Sequence, residues 1–154
     1  MKIVDTKEYV QVLRELVEEG LEVSMVMCGS SMSPFLIHQR DSIRFRKPDR
    51  PLRRGDMVFY QRDSGQYVMH RICRVRPAGY DLIGDAQTEI EGPIRRDQIF
   101  ALVTAVRRKG RWIGPRQFWW VFFEKVWLCL IPLRPFLMKL CAALISHRTE
   151  HKKI

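Results

Sequence analysis

Two side chains in this sequence of 154 residues have the chemistry and the setting to break an acyl bond together: a hydroxyl on a glycine-containing turn, Ser31, and an imidazole within an alternating strand, His70. Ser31 lies in Cys28-Gly29-Ser30-Ser31-Met32-Ser33-Pro34-Phe35-Leu36, directly after an apolar run. Gly29 permits a tight turn and Pro34 cannot continue a strand ladder, so the hydroxyl is expected at the exposed edge of a sheet. There the Ser31 backbone N–H, with a neighbour, could face a developing oxyanion. A hydroxyl is a poor nucleophile at neutral pH and needs a base within hydrogen-bond reach. Of the four histidines, His147 and His151 belong to a charged tail and His38 to the polar turn Ile37-His38-Gln39-Arg40. His70 stands in Tyr67-Val68-Met69-His70-Arg71-Ile72, where a period of two puts it on one face with Val68 and Ile72. Alone it reads as a core imidazole; beside Ser31 it becomes a general base. Cys28, three positions earlier, is the alternative nucleophile.

The elements that must bring these groups together are legible as three zones. Tyr9, Val10, Leu13, Leu16 and Val17 recur at helical spacing over residues about 5–20, and Gly20 supplies the stop, so residues 1–21 are expected to hold one amphipathic helix. Residues 22–114 change period. Segments 22–27, 42–46, 56–60, 67–72, 80–83 and 100–106 are short, rich in β-branched or aromatic residues and bounded by turn formers such as Asp63-Ser64-Gly65-Gln66 and Pro77-Ala78-Gly79. That predicts a mainly β, antiparallel domain. Residues 115–147 are strongly apolar, but Glu124-Lys125, Arg134 and Lys139 cut them into runs shorter than the ~20 residues of a simple transmembrane helix. An interfacial helical hairpin is expected, with Arg134, Lys139, His147, Arg148, Lys152 and Lys153 available to anionic lipid, the alternative being two helices docked on the β-domain or on a partner; a basic tail follows at 148–154.

Composition narrows the function classes. Hydrophobic residues at 46% and charged residues at 29% predict a packed core and exclude a largely disordered chain. The formal charge of +10 favours anionic partners. No recognition helix or zinc knuckle appears, so nucleic acid is not expected as a partner. Cys28, Cys73, Cys129 and Cys141 are far apart without a C-x-x-C pair, which predicts reduced, mostly buried thiols and neither a metal site nor a cofactor. Met1-Lys2-Ile3-Val4-Asp5-Thr6-Lys7-Glu8 has no secretory-signal pattern, so membrane association is expected through the C-terminal apolar segment. The competing class is a non-catalytic basic β-domain that binds an anionic membrane surface or nucleic acid.

Four ordered segments carry a resemblance. Ser31-Met32-x-Pro34, Arg54-Gly55-Asp56-Met57-Val58, His70-Arg71-Ile72 and Leu82-Ile83-Gly84-Asp85-Ala86 resemble the nucleophile, following-strand, base and closing boxes of the type I signal peptidases and their clan relatives, the self-cleaving repressors. His at the base position is similar to the endoplasmic-reticulum and archaeal subgroup. The likeness spans residues about 22–106. It implies a signal-peptidase-like β-domain and a serine endopeptidase that removes signal or leader peptides from precursors bound as extended strands, with small residues near the scissile bond. It makes Ser31 the nucleophile and His70 the base, with Asp85 or Glu91 orienting His70. Asp85 is favoured because it follows Gly84 in the closing box, while Glu91 stands at the later acidic position as Glu rather than Asp. The chain departs from the family at Gly29, where bacterial members usually carry Ser, and at Gln87, where the box has Asn. It departs also at the N-terminus, where a charged amphipathic helix replaces the membrane anchor.

Overall fold

The computed structural model describes residues 6–150, apart from the side chains of 145 and 147–150. Helix α1, Thr6–Glu18, buries Val10, Leu13 and Val17, the apolar stripe that its period dictates. It ends in a left-handed glycine: Gly20 has φ 93°, its N–H donates to Val17 O at 2.9 Å and the Leu21 N–H to Leu16 O at 3.1 Å, a pair that satisfies the last carbonyls of the helix.

Eight strands follow: β1 Val23–Val26, β2 Ser42–Arg46, β3 Met57–Gln61, β4 Tyr67–Arg76, β5 Gly79–Ile83, β6 Glu91–Ile94, β7 Ile99–Arg108 and β8 Arg111–Ile113. They form one antiparallel sheet in the order β1-β2-β7-β3-β4-β5-β6, with β8 on β7. The chain is therefore the mainly β protein that its periodicity predicts, with one helix before the sheet and helices after it. Six strands fall on the expected segments. β6 and β8 do not: Gly92 and Pro93 disguise β6, which Pro permits only because β6 is an edge strand, and β8 is a three-residue return after the positive-φ turn Lys109-Gly110.

β3 sits mid-sheet and buries Met57, Val58, Phe59 and Tyr60 in succession, because both faces of the sheet are covered. One face packs Met57, Phe59 and Met69 with α1 and with Phe35 of the Ser31 turn. The other packs Val58, Tyr60, Ile72 and Leu82.

The C-terminal zone is helical: α2 Phe118–Val121, a π turn Phe122–Trp127, a 3-10 turn Ile131–Leu133 and α3 Arg134–Glu150. Among the described residues no single helix is long and apolar enough to cross a membrane, and the pair Phe118–Trp127 and Ile131–Leu144 is bent by 91°. Of the expected basic tail, 148–150 belong to α3 and 151–154 lie outside the described residues, as do 1–5 of the N-terminal segment. Two expectations are corrected. The cysteines are free but not mostly buried: Cys28, Cys129 and Cys141 are exposed. Arg134, assigned to a lipid-facing surface, is only 1% exposed, because three carbonyls receive it inside the protein.

Candidate active site

The Ser31 turn leaves β1 through Gly29, which is held at φ 92°. The Gly29 N–H donates to His38 Nδ1 at 2.9 Å, so His38 of the polar turn ties the two ends of the loop together. The loop closes at Asp41, fully buried, whose carboxylate accepts from the Ile37 N–H at 2.8 Å and from Arg40. Met32, Phe35 and Leu36 anchor the turn in the core. Ser31 itself stays half-buried. Among the described residues no protein group accepts its backbone N–H, which leaves that donor available to an oxyanion.

His70 is 4% exposed. It lies opposite Val58 in the β3–β4 ladder, and alternation puts it on the face that also buries Tyr60 and Ile72. Ser31 and His70 line one pocket of about 660 Å³, together with Met25, Met27, Phe59 and Met69. No hydrogen bond joins the Ser31 hydroxyl to the His70 ring, and the ring leaves the sheet on the face opposite the one that packs Phe35 of the Ser31 turn.

The other ring nitrogen is held. Tyr60 Oη stands 3.2 Å from His70 Nδ1 and donates its own proton to Glu91 Oε2. Glu91 in turn receives Arg62 at 2.7 and 2.9 Å. A phenol has one proton, and Glu91 takes it, so His70 Nδ1 must be the donor to Tyr60 Oη. Nε2 then carries the lone pair. Burial pushes the His70 imidazole down to about 4, against the pull of Glu91 and Asp85 and with the push of Arg62. The ring is neutral near pH 7. Burial raises the Tyr60 phenol, and Glu91 raises it further, so it remains protonated. Burial alone would raise the Glu91 carboxyl, but the hydrogen bonds from Arg62 and Tyr60 outweigh it and hold that group below the usual range.

Asp85 does not touch His70. Both of its oxygens are taken by Arg71, at 2.9 Å each, and both side chains are fully buried. Arg71 is the residue after His70, so its side chain leaves the opposite face of β4 and draws Asp85 away from the ring. The expectation that Asp85 orients His70 by contact is corrected accordingly; the acidic group linked to Nδ1 is Glu91, through Tyr60.

Asp85 belongs instead to a knot that joins all four boxes. Arg71 Nη1 donates to Gly55 O at 2.9 Å, and its guanidinium lies 5.4 Å from the Phe35 ring centre. The Ala86 N–H donates to Ser31 O at 2.9 Å. Gly84 is needed for that approach, since a Cβ there would lie 2.6 Å from Ser31 O. Gln87, in the Asn position of the resemblance, accepts the Gly84 N–H on its Oε1 at 3.2 Å. Asp56 is structural as well: it receives Arg50 and the Arg53 N–H, fixing the turn before β3.

From behind, the C-terminal helices hold the same loop. Trp127 Nε1 donates to Asp85 O at 2.7 Å, and Arg134 Nη1 donates to Gly84 O and Gln87 O at 2.9 Å each. The roles of Arg71, Tyr60 and Arg134 are not legible in the local sequence pattern. The signal that could have found Arg71 and Arg134 is a lone arginine within an apolar run, which must find carboxylate or carbonyl acceptors if buried. Among the described residues no group of His, Cys, Asp and Glu could hold a metal ion. Compared with models of known protein families, with curated proteins and with solved structures, the chain finds no match in any of the three.

Proposed function

We propose that this chain is a serine endopeptidase that removes signal or leader peptides from precursors, with Ser31 as nucleophile and His70 as general base. The observation that carries the reading is that Ser31 and His70 are both among the residues lining one groove of mixed polar and apolar character, while Tyr60 and Glu91 hold one nitrogen of the ring. Among the described residues β1 is an edge strand whose outer side has no strand partner, so a substrate can add to it as an extended strand and alternate its side chains into the groove. Met25, Met27, Phe59 and Met69 favour apolar side chains there; the resemblance implies small residues next to the scissile bond.

In the acylation step His70 Nε2 takes the Ser31 proton as Oγ bonds to the scissile carbonyl carbon. The oxyanion forms beside the Ser31 N–H. His70 then returns the proton to the leaving amine as the C–N bond breaks, and a water repeats the sequence to free the acyl group. The imidazolium that forms at each step donates Nδ1–H to Tyr60, and Glu91 stabilises its charge at one remove.

The test is incubation of the full chain with a library of precursor peptides, read by mass spectrometry. Ser31→Ala and His70→Ala are each expected to lower cleavage by on the order of 10⁴-fold or more with an unchanged circular dichroism spectrum. Full activity in either folded variant ends the proposal. Cys28 lines the same pocket, so activity that survives Ser31→Ala and disappears with iodoacetamide would transfer the nucleophile to the thiol.

A further inference from the structure

The C-terminal helices have two unlike faces. Inward, Trp120, Phe123, Trp127 and Arg134 are buried; Phe123 packs 4.7 Å from Phe35 of the Ser31 turn, ring centre to ring centre. Outward, Phe118, Trp119, Leu133, Phe136, Leu140 and Leu144 are all exposed, Phe118, Phe136 and Leu144 at 70%, 67% and 62%. Apolar side chains scattered singly over a soluble surface are ordinary; this many along one bent pair of helices mark a surface that meets something apolar.

We propose that the outer face seats on an anionic lipid surface, with the two helices lying in the plane of the headgroups. Shape and charge select this occupant. A pair bent by 91° is wrong for crossing a bilayer and right for lying along it. Within 116–146 the chain carries Arg116, Lys125, Arg134 and Lys139 against a single acid, Glu124. Arg134 is committed to carbonyls inside the protein, and Glu124 packs at Gly55, on the protein side of the helices. The rim is thus cationic around an apolar strip, the pattern that binds headgroup phosphates and buries Phe, Trp and Leu beneath them. Arg108 adds a cation at the aromatic end: its guanidinium lies 5.1 Å from the Phe35 ring centre and 5.6 Å from that of Trp119. Among the described residues its buried Nε has no partner. A second copy of the chain is disfavoured as occupant, since it would press cationic rims together on molecules of charge +10.

Seating would hold the candidate site at a fixed height above the headgroups, because the inner face of the same helices grips the loop 84–87, whose Ala86 N–H donates to Ser31 O. Lipid binding itself is independent of the chemistry proposed for Ser31, so its test can fail or succeed without the peptidase reading.

The experiment is co-sedimentation of the full chain with vesicles of phosphatidylcholine alone or with about one third phosphatidylglycerol, at low and high salt. Binding is expected to the anionic vesicles, weakened by salt. Phe136→Ser and Leu140→Ser should each lower partitioning about tenfold and together about a hundredfold, the scale of withdrawing one large apolar side chain from burial. Both residues are exposed, so folding should persist, and Leu144→Ser provides a third variant should either fail. Absence of binding, equal binding to neutral vesicles, or folded variants that bind like the parent would each overturn the proposal. So would a concentration-dependent dimer in analytical ultracentrifugation that Phe136→Ser dissociates, since a second copy would then cover the face.

Discussion

His70 should write its burial into the pH dependence of the whole protein. Its imidazole titrates near 6.5 when unfolded and about 4 in the fold. That gap corresponds to about 3 kcal/mol. Between those two values the unfolded chain binds a proton that the folded chain refuses, so stability falls as pH falls through the window. Above about pH 7 the penalty is absent; integrating the linkage gives about 2 kcal/mol at pH 5 and about 3 kcal/mol at pH 4, after which it levels off. Urea unfolding of the parent and of His70→Gln at pH 7 and pH 5 isolates this effect. At pH 5 the Asp41 and Glu91 carboxyls, both held below their usual range, remain ionised and contribute little. The parent should lose about 2 kcal/mol more than the variant between the two conditions, and the ring Cε1–H signal of His70 should not shift until pH approaches 4. The acid limb of kcat/KM should fall near the same value, since a neutral Nε2 persists well below pH 6.5. Equal pH losses in the two proteins, or an acid limb and a ring titration near 6.5, would refute the electrostatic account of the site.

Two further substitutions separate scaffold from chemistry. Asp85→Asn strands the fully buried Arg71 guanidinium and should cost about 3–5 kcal/mol in denaturant unfolding. Glu91→Gln, at a partly exposed carboxylate, should cost about 1 kcal/mol or less yet lower kcat by about 10² with KM little changed; the reverse pattern in the two variants would return the orienting role to Asp85. Gly84→Ala inserts a Cβ 2.6 Å from Ser31 O and should abolish cleavage by displacing the turn. Gly29→Ala meets open space and should show only the ~1–2 kcal/mol strain of a left-handed alanine in thermal unfolding.

What the sequence makes legible, and what it hides, follows from the range over which each signal acts. The Ser31 turn and the six expected strands announce themselves within a few residues, through Gly29, Pro34 and a period of two. β6 hides because Gly92 and Pro93 are local strand breakers that only an edge position tolerates. The placement of Asp85 fails for a different reason. Order along the chain brings Gly84-Asp85-Ala86 to the site, but which face the carboxylate meets depends on the β4–β5 register and on alternation. His70 and Arg71 are neighbours in sequence and leave opposite faces of one strand, so a carboxylate that satisfies a buried arginine cannot also be in contact with the imidazole beyond it. Glu91 reaches His70 only because Tyr60, two positions past the residue opposite His70 on β3, spans the gap with its phenol. Such a relay needs a strand register, a rotamer and a third residue, none of which a local motif contains. The four boxes are thus legible as a set because they converge on Arg71 and the Ser31 carbonyl, which are scaffold. The group that would stabilise charge during a reaction, Glu91, sits outside the four boxes; its position along the chain is legible as the later acid, but the Gly-Pro pair hides the strand that holds it.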